Sequence, residues 1–157
     1  MIRKFTEQDL QAVMEIWLAS NLETHSFINP DYWQERFAFA AKTIPEAEVY
    51  VFEHDGKVIG FVGVKNRHIE GIFVDGKYRS QGVGKALLDH VKTLYPKLTL
   101  CVYRKNVRAA DFYRRENFTE VREQLDLDTC ENEIFMKWEN GDIINEKYSS
   151  YRKIFSS

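Results

Sequence analysis

Cysteine is scarce in this chain, and long apolar runs are absent. Its two cysteines, Cys101 and Cys130, make neither a disulfide framework nor a metal quartet, so a reduced environment is the default and no metal site is expected. The N-terminal MIRKFTEQDL lacks the apolar core of a signal peptide. No stretch approaches the roughly 20 apolar residues that cross a bilayer. The expectation is a cytoplasmic protein with no membrane partner. Charge of one sign is not in surplus either: 22 basic residues face 24 acidic ones and form no long run, which argues against a nucleic-acid binder. Internal repeats and low-complexity segments are missing. What the chain does have is aromatics, with 11 Phe, 8 Tyr and 3 Trp, enough for large rings in a core or lining a pocket. At 157 residues it has the length of one domain, placed at 1–138, followed by a polar tail over 139–157.

Periodicity gives the element order. A short strand at Ile2–Phe5 ends at Thr6, which has the capping-box spacing to Asp9. Leu10, Val13, Met14, Trp17 and Leu18 then repeat as one helical face that ends near Ser20. Asn29-Pro30 offers a second helix start, continued through Tyr32 to Ala41. Residues 49–54 and 57–65 flank Asp55-Gly56 and read as an antiparallel hairpin. HIEGIFVD, residues 68–75, is the next strand, with Gly71 in its interior as the mark of a bulge or a close backbone approach. A helix whose apolar set is Leu87, Leu88, Val91, Leu94 and Tyr95 stops at Pro96. LTLCVY (98–103) reads as a buried strand, Asn106 to Arg115 as a helix, and Phe118–Leu127 and Glu133–Trp138 as closing strands. The tail, with YSSYRKIF, reads as a short helix or a disordered end. This order favours an α/β, three-layer (α+β) architecture: a mixed, mostly antiparallel central sheet with helices on both faces.

The most informative segment is YRSQGVGKALL, residues 78–88. A helix N-terminus carries unpaired N–H groups and about half a positive charge, and Gly82 and Gly84 let a ligand approach the backbone there. Arg79 and Lys85 add charge suited to a pyrophosphate. A P-loop would need Ser or Thr after Gly84-Lys85, where Ala86 stands, and five residues rather than four separate Gly76 from Gly82. The dinucleotide fingerprint would need Gly or Ala at Leu87 and an acidic residue near Leu100 and Cys101.

The remaining pattern, Arg79-Ser80-Gln81-Gly82-Val83-Gly84, resembles the pyrophosphate loop of the GNAT superfamily of N-acetyltransferases, R/Q-x-x-G-x-G/A. The resemblance covers about residues 2–138, through IFVDGKY upstream and Asn106 with AADFYRRENF downstream. A closer resemblance is to the small bacterial YiaC/YjaB-type members, through IWLASNLETHSFI followed by YW, HIEGIFVD, and VYRKN with the Phe112-Tyr113 pair and Phe118 beyond it. Some of these acetylate lysines.

The resemblance implies the GNAT fold, acetyl-CoA as co-substrate and a primary amine as acceptor. It implies that Tyr113 protonates the departing thiolate, unless that ring serves core packing alone. It places Arg79, Ser80, Gln81, Gly82, Val83, Gly84 and Lys85 on the pyrophosphate, and Ile72, Phe73, Val74 and Asn106 along the pantetheine. Asn106 is also a favoured helix cap. Glu70, or His68 on the same strand face, would draw the proton from the amine. Thr24, His25, Phe27, Tyr32 and Trp33 would form an aromatic acceptor pocket, with His68 also on the substrate side. The acceptor is left open between protein lysine and a small amine, with a CoA-binding module that performs no transfer as the alternative from another class. Exposed aromatics near the tail would suit a homodimer.

Overall fold

The computed structural model describes residues 1–141. The tail beyond them, with the YSSYRKIF expectation, lies outside the described residues. Seven strands form one sheet in the order β1-β2-β3-β4-β5-β7-β6. They are β1 (Ile2–Lys4), β2 (Glu48–His54), β3 (Lys57–Lys65), β4 (His68–Val74), β5 (Lys97–Tyr103), β6 (Thr119–Asp126) and β7 (Glu131–Glu139). Every neighbouring pair is antiparallel except β4 and β5. That parallel pair is joined by α4 (Val83–Leu94), as a parallel pair must be joined by a crossover. The hairpin turn is as read: Asp55 and Gly56 both have positive φ, 50° and 74°, the backbone that a two-residue turn of this hand requires.

The sheet separates two cores. On one face α4 buries Val83, Leu87, Leu88 and Val91 and α5 (Val107–Arg115) buries Ala110 and Tyr113, against Ile59, Val62, Leu98, Leu100 and Met136. On the other, Val13 and Ile16 of α1 (Leu10–Thr24) pack on Val49, Val51 and Phe61. Leu94, expected inside, is 45% exposed as the last residue of its helix.

Two helix boundaries differ from the periodic reading. Helix α1 continues one turn beyond Ser20, because its buried face goes on in polar residues: Ser20 and Asn21 are both buried. A hydrophobic pattern cannot register that extension. The second helix is two, α2 (Pro30–Glu35) and α3 (Phe37–Thr43), which meet at Arg36. Asn29 caps α2 by accepting from the Asp31 N–H at 3.0 Å.

The N-terminal junction rests on a buried carboxylate. Asp9 accepts both Arg3 guanidinium N–H groups, at 2.8 and 2.9 Å, and the Thr6 backbone N–H at 2.8 Å. These bonds, Arg3 first, hold its carboxyl down at about 2 against an ordinary 3.8. A depressed carboxyl stabilises the fold above its unfolded value and stops doing so as pH falls through its folded value, a contribution of about 2 kcal/mol. Asp9→Asn should therefore lower the unfolding temperature at neutral pH by roughly 5 °C. The gap to the parent protein should close between about pH 4 and about pH 2, as thermal melts across that range will show.

Candidate functional site

Strands β4 and β5 pair only at His68↔Thr99 and Ile69↔Leu100, and then diverge. A bulge adds to the opening: Ile69 pairs with Val64 and Gly71 with Gly63, adjacent residues on β3, so Glu70 is the extra residue. The edge of β4 beyond Ile69 that faces β5 consequently has no strand partner among the described residues. Its backbone groups line a cleft of about 890 Å³ that continues between α1, α4 and α5. Gly71 has a local reason to be glycine, since a Cβ there would stand 2.3 Å from the Phe73 ring, which is itself stacked on Phe61 at 4.9 Å.

One end of the cleft is the start of α4. Gly82 precedes it with φ of +85°. The first intrahelical bond runs from Ala86 N–H to the Gly82 carbonyl, which leaves the N–H groups of Val83, Gly84 and Lys85 without an intrahelical acceptor. No side chain caps them, in contrast to α2 and α5. A Cβ built on Gly82 meets nothing within 4 Å, and one on Gly84 meets only ordinary contacts of 3.8–4.0 Å, so the approach to this turn is open. Arg79 lines the cleft, paired with Glu23 of α1 at 2.5 Å. The Ser80 hydroxyl accepts from Arg108, a cation that sequence reading did not single out. Three expected loop residues have their side chains engaged within the fold. Val83 is buried in the core, Gln81 donates to the Lys77 carbonyl at 3.3 Å, and Lys85 lines the cleft with its ammonium held by Asp89 and Glu116, both at 3.1 Å. Those two carboxylates offset the charge that Lys85 was expected to bring.

Tyr113 on α5 also lines the cleft. Its ring packs against Phe118 and Phe112, with centroids at 5.7 and 5.2 Å, and burial pushes its phenol above the ordinary range. The hydroxyl makes no hydrogen bond among the described residues, while the side chain borders the cleft. Ile72 and Val74 pack toward the same side, and Phe73 toward α1.

Asn106 begins a chain of fixed polarity. Its Oδ1 accepts from the Ala109 backbone N–H at 3.4 Å, which turns its Nδ2 toward His25 Nε2 at 3.3 Å. Nε2 must then accept, so His25 Nδ1–H donates to Asn21 Oδ1 at 3.0 Å. Both imidazole nitrogens are committed, and burial pushes this histidine down to about 4, so it is neutral at physiological pH. The cap role read for Asn106 holds, and its amide nitrogen is engaged by His25.

The far end of the cleft carries Glu70, His68 and Trp33, with Glu133, Cys101 and Tyr103 on the facing strands. Glu70 is exposed and makes no hydrogen bond or ion pair among the described residues. His68 Nδ1 is tied to Thr99 Oγ1 at 2.8 Å, and Glu133 accepts from Gln124 at 2.8 Å. Cys101, expected in the core, borders the cleft with its thiol pushed up to about 11, mainly by burial, with Glu133 adding to it. Trp33 stacks on His25 at 5.4 Å. Phe27 and Tyr32 do not border the cleft: Phe27 backs the His25 and Tyr103 rings, each at 5.7 Å, and Tyr32 lies against Trp33 under the Arg36 guanidinium. The aromatic cluster foreseen from sequence is real as packing, but His25 and Trp33 alone among these four rings face the opening. Glu133, Tyr103 and Cys101 went unread as site residues although β5 alternates, with Leu98, Leu100 and Val102 buried and Thr99, Cys101 and Tyr103 on the opposite face.

A family model described as the acetyltransferase (GNAT) family matches residues 10–118. The chain is 37% identical over 120 residues to peptidyl-lysine N-acetyltransferase YiaC of Escherichia coli, covering 75% of this chain and 82% of that protein. It is 32% identical over 118 residues to peptidyl-lysine N-acetyltransferase YjaB of Salmonella typhimurium, covering 74% and 81%. Among solved structures it resembles the solution structure of apo-form YjaB from Escherichia coli, with a TM-score of 0.79 and 25% identity over 90% of this chain and 98% of that one. The uncapped helix start, the parted parallel strands and the buried tyrosine therefore sit in a known frame, and the chain belongs to the GNAT family of acetyltransferases.

Proposed function

We propose that the chain transfers the acetyl group of acetyl-CoA, the co-substrate of its family, directly to the side-chain amine of a protein lysine. The observation that carries this reading is that one continuous cleft is lined by an uncapped helix N-terminus, an unpartnered strand edge, a buried phenol and the unpaired carboxylate of Glu70, with Glu133 close by. Each is suited to a different part of the reaction. The N–H groups of Val83, Gly84 and Lys85, with Arg79 and Arg108 beside them, hold the pyrophosphate. The free edge of β4 gives the pantetheine amides a strand to pair with, between Ile72 and Val74, as an added peptide strand pairs with a sheet. An N–H of the bulged segment donates to the acetyl oxygen as charge builds on it. Glu70 draws the ammonium of the acceptor in and takes one proton, and the freed amine attacks the thioester carbonyl. As the C–S bond breaks, Tyr113 gives its proton to the departing sulfur, and the second proton shed by the acetylated nitrogen restores the phenol.

A lysine acceptor is supported by the acidic residues at the far end of the cleft and by the two relatives whose names specify peptidyl-lysine. The test is thiol release from acetyl-CoA with lysine peptides, polyamines and small amines offered in parallel. Lysine peptides should give the highest kcat/KM. Acetyl-CoA binding with no thiol release on any amine would reduce the protein to a CoA-binding module, and a polyamine preference would reassign the acceptor.

A further inference from the structure

Two residues that border the cleft each keep a buried side-chain donor with nothing to bond to. Asn21 Nδ2 and Trp33 Nε1 have no hydrogen-bond partner among the described residues, although Asn21 is only 2% and Trp33 only 8% exposed. A buried polar group left unpaired costs stability, and proteins seldom keep two together without a use for them. Both flank His25, one by a hydrogen bond and the other by stacking.

That the Asn21 orphan is a donor follows from the chain already described. A backbone N–H fixes the Asn106 amide, Asn106 fixes the His25 tautomer, and His25 Nδ1–H claims Asn21 Oδ1. Only the NH2 of Asn21 is left over. The indole of Trp33 can only donate. Whatever completes this pair must therefore bring an acceptor atom, and the neutral His25 acts as a positioning residue that holds the Asn21 amide in one orientation.

We propose that Asn21 and Trp33 form a subsite for a carbonyl oxygen of the acceptor, so that the enzyme selects an amine carried on an amide-bearing backbone over a bare alkyl amine. This rests on the transferase reading above and deepens it. Glu70 and Glu133 attract any ammonium, so they do not by themselves separate lysine in a peptide from a polyamine. A peptide brings amide oxygens that can accept from these donors, and a polyamine brings none.

Two variants test the subsite. Trp33→Phe keeps an aromatic ring on His25 and removes only the N–H, and Asn21→Asp keeps the oxygen that His25 needs and replaces the donor with an acceptor. The acceptors are Nα-acetyl-lysine N-methylamide and n-pentylamine, which shares the alkyl amine and lacks the carbonyls. The parent enzyme should prefer the lysine amide by at least about 10-fold in kcat/KM, the loss expected when paired donors are left empty. Trp33→Phe should lower kcat/KM for the lysine amide by about 5- to 10-fold and Asn21→Asp by more, with pentylamine turnover and acetyl-CoA affinity within about 2-fold of the parent. Equal use of both amines by the parent, or variants that act on both equally, would overturn the subsite while leaving the transferase reading intact. Unchanged lysine-amide kinetics in both variants would mean that the donors meet only water. A weaker acetyl-CoA Kd with unchanged lysine-amide KM would hand the oxygen to the pantetheine and equally overturn it. If the parent transfers to neither amine, the transferase reading fails. The subsite is then judged by calorimetry of the lysine amide on the CoA-loaded protein, where no difference between parent and variants, or no binding at all, rejects it.

Discussion

Replacing Tyr113 with Phe is expected to lower kcat roughly 10²- to 10⁴-fold, the range lost when a positioned proton donor is removed. The affinity for acetyl-CoA and the unfolding temperature should stay close to those of the parent. The structural reason for this separation is that the ring and the hydroxyl of Tyr113 have different surroundings. The ring belongs to the core through Phe118 and Phe112, and Phe keeps those contacts. The hydroxyl bonds to nothing among the described residues, so its removal orphans no partner. Burial raises the phenol above its ordinary value, which keeps the proton in place until a base appears. A raised phenol would be a poor donor to a thiolate of ordinary basicity, but the desolvation that raises the phenol also disfavours the charged form of a sulfur leaving beside it. A departing thiolate in such surroundings is therefore a correspondingly stronger base, and the proton transfer stays within reach. Single-turnover kinetics with saturating acetyl-CoA measure the chemical step directly. A Tyr113→Phe rate equal to that of the parent would leave the ring with a packing role only.

Local chemistry was legible in the sequence wherever one short segment decides the outcome. Asp55-Gly56 specifies its turn, Asn29 and Asn106 cap the helices that they precede, and the 79–84 loop opens onto a helix N-terminus. The central mixed sheet follows from the order of the elements, since the one crossover helix lies between β4 and β5. What resisted reading depends on residues far apart in the chain. HIEGIFVD gives no sign that its pairing with β5 ends after two residues, because that is set by where β5 and α5 lie. The bulge at Glu70 becomes visible only against the register of β3. Gly71 was a fair hint of it, although its own constraint turns out to be the Phe73 ring. Ser20 and Asn21 look like the polar end of a helix and are instead its buried, cleft-facing continuation. Lys85 looked like a phosphate ligand because Asp89 and Glu116 lie four and 31 positions further along, and only the second needs the fold to come near.

The second large effect should appear at Gly82, where affinity and stability ought to move by different amounts. Its φ of +85° lies in the left-handed region, where a side chain costs about 1–2 kcal/mol. Gly82→Ala should lower stability by that amount and no more, because the added Cβ meets no atom of the chain within 4 Å. The same openness makes the substitution costly for binding. A methyl group at the mouth of the α4 N-terminus intrudes on the approach to the N–H groups of Val83, Gly84 and Lys85, which no side chain caps. A charge-assisted hydrogen bond is worth about 1.5–3 kcal/mol, so loss of one bond to the pyrophosphate predicts a Kd for acetyl-CoA raised roughly 10- to 100-fold. Gly82→Val adds a branch in the same direction and should weaken binding further. Calorimetry of acetyl-CoA beside thermal unfolding of the unliganded variants separates the two quantities. Loss of stability with an unchanged Kd would show that the turn is glycine for its backbone alone, and the anion would then have to be held by Arg79 and Arg108 without the helix. A rise in Kd that vanishes for desulfo analogues retaining the pyrophosphate would place the effect at the thiol end instead, and the assignment of the α4 N-terminus to the pyrophosphate would fall.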